Sequence, residues 1–410
     1  MKKYRLIDLF CGCGGISRGF QRTGRFGIEF GVELEKYPVA AFAANMTTTG
    51  GSHSPAFEGD IRELVASAEV FWKRMAEAGV FGPGEIDVLA GGPPCQGFSR
   101  NGVRKYCDEG IRFYDDPRNH LYKAFLETLE LLRPKIVLIE NVREFLNYGS
   151  GKFSKDLLAR LDELGYTADF RKVCAADYGV PQLRNRVFFV AVDRSFRDLK
   201  ISELPFPTPR FGSASGQQSL FSMEAYRTVK DAIGDLPRPA DRHGIRIPYD
   251  KRKKVSAYAK EMRSETGAVR NHVARELSEK TLKRVQAVGT GRMKHIDESL
   301  KTKKFYGSAY RRLDWNSPAL TITTWVYHVG SGQFAHPVED RGVTMREAAR
   351  LQGFDDDFIF PDLINPVSQM IGNAVPPPVA QSFAQEFVRI LDQAGQRSMD
   401  TSRLKRKVAT

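Results

Sequence analysis

The chain has 410 residues, 41% hydrophobic and 11% aromatic, with a formal charge of +13 and a pI near 9.4. That length allows two or three domains with a sizeable core, and no stretch approaches the roughly 20 apolar residues of a membrane span. Five cysteines (11, 13, 95, 107 and 174), odd in number and without framework spacing, exclude a disulfide scaffold and point to free thiols in a reducing compartment. In chain order, residues 4–10 (YRLIDLF) read as a first strand, entered so early that no signal peptide is expected. Cys11-Gly12-Cys13-Gly14-Gly15 then turns into a helix over 16–23. Strand, glycine turn and helix open a nucleotide-binding α/β unit, because glycine lets backbone approach a ligand and the helix start offers free N–H donors. The dinucleotide fingerprint fails, since its third glycine position holds Ser17. Cys11 and Cys13 lack companion ligands, so they read as small turn filler and no metal site is expected.

A second strand over 27–33 ends on Glu33, placed either to accept from ribose hydroxyls or to serve as an ordinary capping acid. Gly59-Asp60-Ile61 forms the next strand-end contact, with Asp60 able to accept from an adenine amino group. Leu64, Val65, Ala68, Phe71, Trp72 and Met75 recur at helical spacing and predict one helix over 61–78. The apolar run 86–90 is a buried parallel strand, and GGPPCQGFS at 91–99 breaks it. Cys95 is thereby displayed at a strand's carboxyl end, as a candidate nucleophile or as a structural cysteine on a tight turn. The loop 100–119 interleaves Arg104, Lys105, Arg112 and Arg118 with Tyr106, Phe113 and Tyr114, a composition suited to a lid gripping a nucleic-acid backbone. A helix over 121–132 and a strand over 135–139 follow, delivering Glu140-Asn141-Val142 to the same crevice, where partial burial would raise the Glu140 pKa.

A helix over 155–164 and a strand over 168–173 precede a turn at 177–181. Gln182-Leu183-Arg184-Asn185-Arg186 then leads into a strand over 187–191. Alternation places Gln182, Arg184 and Arg186 on one face, where two arginines bind a phosphate, a carboxylate or a carbonyl oxygen. Prolines 205, 207 and 209 and the Gly/Ser/Gln run from 212 mark a linker. Beyond it, 238–312 carries 21 Lys+Arg against 8 Asp+Glu, a net +13 that equals the charge of the whole chain. This is either a polyanion-binding module beside a near-neutral body or a solvated lysine-rich surface. Within it, Lys251, Arg252, Lys253 and Lys254 suit phosphate contacts. A helix is expected over 279–288, a capping box at Thr344 and Glu347, and a helix from Gly372 to about 392. Residues 396–410 read as a disordered basic tail.

Taken in this order, DLFCGCGG, GGPPCQGFS, ENV, QLRNR, RGVTMREAARLQGF and GNAVPPPVA make the chain resemble the DNA (cytosine-5)-methyltransferase family, of bacterial single-chain type, over about residues 5–384. The resemblance implies a Rossmann-like α/β domain with a mostly parallel sheet (1–193 and 372–395) and a smaller, irregular target-recognition domain (194–345), with 346–371 as a hinge or return segment. It implies S-adenosylmethionine as cofactor, held by Phe10, Gly12, Gly14, Glu33, Leu34, Asp60, Ile61, Pro93, Leu121, Asn373 and Val375; Leu34 departs from the aromatic often found after the ribose acid. Cys95, Glu140, Arg184 and Arg186 would be catalytic, and Gln96, Ser99, Arg104, Arg112 and Lys251–Lys254 would contact double-stranded DNA. A cytoplasmic, nucleoid-associated bacterial monomer is implied, with a cognate restriction endonuclease that acts independently as its expected counterpart. The competing readings are a tRNA cytosine-5 methyltransferase and a catalytically silent DNA-binding regulator.

Overall fold

The computed structural model describes residues 2–94, 121–195, 203–212, 223–302 and 307–408, the last helix beyond 395 as backbone only. The chain forms two compact units: 1–173 with 185–208 and 380–410, and 174–184 with 209–379.

The first unit is built on β1 (Tyr4–Leu9), α1 (Gly15–Gln21), β2 (Phe26–Glu33), α2 (Lys36–Asn45), β3 (Ala56–Glu58), α3 (Ile61–Leu64), α4 (Ala68–Glu77), β4 (Val88–Gly91), α5 (Leu121–Leu132), β5 (Ile136–Val142), α6 (Lys152–Glu163) and β6 (Tyr166–Cys174). The chain leaves for β7 (Gln182–Leu183) and returns as β8 (Asn185–Asp193). Seven strands lie in the order β3-β2-β1-β4-β5-β8-β6. The strands from β3 to β5 are mutually parallel, and β8 runs antiparallel to β5. Nearly continuous apolar runs such as Ile136–Ile139 fit strands covered on both faces. One face packs Ile7, Leu9, Leu89, Val137, Val187 and Phe189 against α3 to α6. Alternation turns Phe188 to the other face, where it stacks on Phe383 with ring centroids 4.8 Å apart. Chain order reverses on either side of β1, the position at which open α/β sheets bind ligands.

Register fixes which residues meet at the carboxyl edge. Leu9 pairs with Val32 and with Gly91, and Gly91 pairs with Ile139. The residues following β1, β2, β4 and β5 therefore emerge together. Because β8 is antiparallel, it begins at that same edge, with Arg186 opposite Val142.

Three expectations need correction. The helix expected over 61–78 is two helices, because Ser67 caps α4 by accepting a hydrogen bond from the Val70 N–H at 3.2 Å; local capping outweighs the apolar spacing that continues across the break. Gly372 lies near the end of a helix instead of opening one: it belongs to α11 (Ile364–Asn373), and α12 (Pro377–Val408) starts on a proline, the residue best suited to a first helical position. Residues 396–408, expected as a disordered tail, continue α12, since no proline or glycine interrupts them after Gly395.

The second unit holds β7, β9 (Phe211–Gly212), β10 (Glu224–Ala225), α7 (Val229–Ile233), β11 (Ile247–Pro248), α8 (Ala257–Met262), β12 (Ala268–Val269), α9 (Glu279–Val288), β13 (Ala319–Leu320), α10 (Met345–Gln352) and α11. Its strands are two-residue pairs, so side-chain polar networks carry much of its organisation. The expected capping box is present: Thr344 and Glu347 cap α10 reciprocally. Every residue of that helix is buried, including Arg346, Glu347 and Arg350. Arg350 pairs with Asp235 at 2.9 Å and Asp356 at 2.6 Å, and Arg341 grips both oxygens of Glu347 at 2.8 Å each. Burial alone would raise the Glu347 pKa, but the Arg341 guanidinium overrides it and holds the carboxyl down to about 2. A folded-state pKa below the unfolded value of about 4.3 stabilises the fold above that pH, and the contribution fades as pH falls toward 2. Arg341→Ala is expected to cost about 3–5 kcal/mol at pH 7, because it leaves a buried carboxylate unpaired. Urea unfolding should show the gap to wild type narrowing below about pH 4.5; a gap independent of pH would mean that the ion pair is not its source.

Candidate active site

The glycine loop after β1 bends through left-handed backbone at Phe10 (φ +56°), Gly12 (+54°) and Gly14 (+94°). A side chain at Gly14 would also strike Met46 Cε at 2.8 Å, whereas the space beside Gly12 is open. Glu33, at the end of β2, ties this loop down. Its Oε2 accepts from the Gly12 N–H at 2.9 Å, and its Oε1 accepts from Leu34 N and Glu35 N at 2.8 and 3.0 Å. Burial raises its pKa, and the three N–H donors only partly offset that. Beneath the loop, Asp8 is buried and accepts from Ser17 Oγ at 2.6 Å, while its Oδ1 meets no donor among the described residues. Loss of hydration pushes the Asp8 carboxyl up to about 7. Cys11 and Cys13 are buried and their pKa values are raised by burial, so both stay thiols at neutral pH, in keeping with turn packing.

The second cluster lies where β4, β5 and β8 meet. Glu140 Oε1 pairs with Arg186 Nε at 3.0 Å, with the two side chains 12% and 18% exposed, so the pair is shielded yet reachable. Gly92 touches it: a Cβ there would sit 3.2 Å from Glu140 Oε2. Asn141 Nδ2 donates to the Pro93 carbonyl at 3.2 Å. The chain is thus pinned against β5 two residues before Cys95. A carboxyl group beside a planar guanidinium offers a matched set of proton-holding and donating groups to the N–C=O edge of a flat ring.

Other expected site residues are dispersed. Ile61 is a core residue, and Asp60 caps α3 and pairs with the Arg62 side chain at 2.9 Å. Leu34 is exposed, and Leu121 is the half-buried first residue of α5. Asn373 and Val375 belong to the second unit, the first exposed and the second buried. Lys251, Arg252, Lys253 and Lys254 are all exposed; Arg252 pairs with Asp250, and Lys253 donates to the Leu236 carbonyl. Cys95, Gln96, Ser99, Arg104, Arg112 and the expected lid at 100–119 lie outside the described residues.

The expectation that Gln182, Arg184 and Arg186 share a face does not hold. β7 ends at Leu183 and β8 starts at Asn185, so alternation is broken between them. Gln182 and Arg184 are buried in the second unit, where Arg184 Nη1 donates to the Ile322 carbonyl at 3.1 Å, and Arg186 belongs to the first. Sequence reasoning assigned no role to Gly92 or Asn141, although both sit inside motifs it singled out; the glycine pair before Pro93 was the available signal.

The family model for C-5 cytosine-specific DNA methylases matches residues 4–389. Type II methyltransferase M1.HphI of Haemophilus parahaemolyticus is 32% identical, over 94% of this chain and 86% of its own length. Type II methyltransferase M.AgeI of Thalassovita gelatinovora is 31% identical, over 93% and 98%. Among solved structures, a putative DNA modification methyltransferase encoded within a prophage, from E. coli, superposes with a TM-score of 0.70 at 26% identity, covering 95% of this chain and all of that one.

Proposed function

Since the chain belongs to the C-5 cytosine-specific DNA methylase family, we propose that it methylates C5 of a flipped-out cytosine within a specific double-stranded DNA sequence, through a covalent bond from Cys95 to C6. The observation that carries this reading is the Glu140–Arg186 pair, 3.0 Å apart and in touch with Gly92, just ahead of Cys95. Cytosine C5 is a poor nucleophile. Attack of the Cys95 thiolate on C6 makes C5 enamine-like and able to take a methyl group. Glu140 acts at N3, where charge changes as C6 is attacked. Arg186 polarises the O2 carbonyl. A base then removes the C5 proton and the Cys95 sulfur departs. The target is out of reach inside a stacked duplex, so it must leave the helix.

S-adenosylmethionine fits the glycine loop: Gly12 borders open space at a backbone angle that disfavours side chains, and Glu33 lies against it. When bound, the cofactor supplies an electrophilic methyl group on sulfur. Phe10, Gly12, Gly14 and Glu33 would hold it. Arg184 is assigned a positioning role through Ile322. No helix among the described residues is long and apolar enough to cross a membrane. The protein would act in the bacterial cytoplasm as a monomer, and a restriction endonuclease reading the same sequence would be its functional counterpart. Bisulfite sequencing of DNA from a host expressing the protein should show protected cytosines at one recurring sequence. Methylation confined to tRNA in parallel assays would overturn the DNA assignment.

A further inference from the structure

The Gln-Leu-Arg half of the QLRNR motif has a use that the proposed chemistry does not absorb. In the second unit, Gln182 Oε1 accepts from the Ile322 N–H at 2.9 Å while Arg184 Nη1 donates to the Ile322 carbonyl at 3.1 Å. Two buried side chains thus hold both backbone polar groups of one residue. Gln182 Nε2 in turn donates to Leu351 O and Gln352 Oε1 at 3.1 and 2.7 Å, fixing the clamp to α10. The turn that follows Ile322 is held with equal care. Ser368 Oγ donates to the Thr324 carbonyl at 2.7 Å, and Ser331 Oγ donates to the Trp325 carbonyl at 2.7 Å. Gly372 of the GNAVPPPVA motif lets α11 lie against the turn: a Cβ there would meet Thr324 N at 2.3 Å. Ile322 and Val326 are buried beneath.

What this clamped turn displays is Trp325, whose side chain is 59% exposed. Its ring lies 5.8 Å from Tyr327, and the Arg275 guanidinium sits 5.8 Å from the Tyr327 ring. An aromatic pair with a flanking cation, in the unit that carries the +13 segment, suits a nucleic acid: cations meet phosphate and a flat ring meets bases. The indole has a single N–H donor and a broad apolar face, so it serves base contact better than phosphate contact. We propose that Trp325 is a specificity-determining contact, packing on a base within the recognised DNA sequence, and that Gln182, Arg184 and Gly372 position it. This inference rests on the DNA-methylating reading above.

The test uses the full-length protein and a duplex carrying the sequence mapped by bisulfite sequencing, against a scrambled duplex. Trp325→Ala should bind the mapped duplex about tenfold more weakly, bind the scrambled duplex as wild type does, and retain kcat at saturating DNA. Trp325→Phe should recover part of the loss. DNA should quench wild-type indole fluorescence more than that of Trp325→Ala. Unchanged preference for the mapped duplex in Trp325→Ala would overturn the contact, as would equal weakening on both duplexes. Failure of the wild type to methylate the mapped duplex would instead defeat the reading on which the inference rests.

Discussion

Cys95→Ala should lower methyl transfer at least about 10⁴-fold while leaving DNA affinity within a few-fold of wild type. The reasoning begins with the substrate. Without a bond at C6, C5 of cytosine has too little electron density to attack the sulfonium methyl carbon and displace the sulfide, so no binding energy substitutes for the missing thiolate. Substrate contacts elsewhere are untouched by removal of one sulfur atom, which is why binding survives. A direct readout exists. In a duplex whose target cytosine carries fluorine at C5, the wild type should form the C6 bond and transfer the methyl group, but no C5 proton is present for removal. The adduct should then persist on a denaturing gel in the presence of S-adenosylmethionine, and Cys95→Ala should form none. A denaturation-stable adduct with Cys95→Ala would show that a different nucleophile does the work.

The positions at which the sequence was legible share a physical cause. β1, β2, β4 and β5 are largely apolar and buried, and each carries or leads to a residue with chemistry at its carboxyl end: the glycine loop, Glu33, Gly92 and Glu140. Such runs can be read without knowing their neighbours, because burial on both faces demands the same composition along the whole strand. What was illegible depends on pairing between distant segments. Nothing local shows that Arg186, on a strand antiparallel to β5, meets Glu140, or that the strand breaks at Arg184 and sends its guanidinium to Ile322. Alternation assumes an unbroken strand, and a two-residue β7 ending at Leu183 defeats it. The division of 61–78 at Ser67 is similar in kind: apolar spacing persists across a break that a single hydroxyl cap decides. Trp325 was invisible for another reason. An exposed tryptophan and a core tryptophan look alike until the surrounding packing is known.

The Glu140–Arg186 pair yields the second large effect, and its magnitude depends on the contact between the two. Glu140→Gln removes the carboxylate but keeps its shape, and is expected to lower kcat about 10²–10⁴-fold. Arg186→Ala removes the donor proposed for the O2 carbonyl, with an expected loss of about 10²–10³-fold. Each single change also disturbs the survivor, since the two are 3.0 Å apart and largely shielded from water. Once Arg186 is gone, Glu140 loses the partner that fixes its orientation; once Glu140 is neutral, Arg186 loses its counter-charge. The losses should therefore overlap. The double variant is expected near the worse single variant, well above the product of the two. Single-turnover methylation rates at saturating DNA measure this without interference from product release. A fully multiplicative loss would mean that the two groups act on the cytosine independently and that their ion pair is incidental. Near-wild-type rates in either single variant would remove that residue from the chemistry altogether.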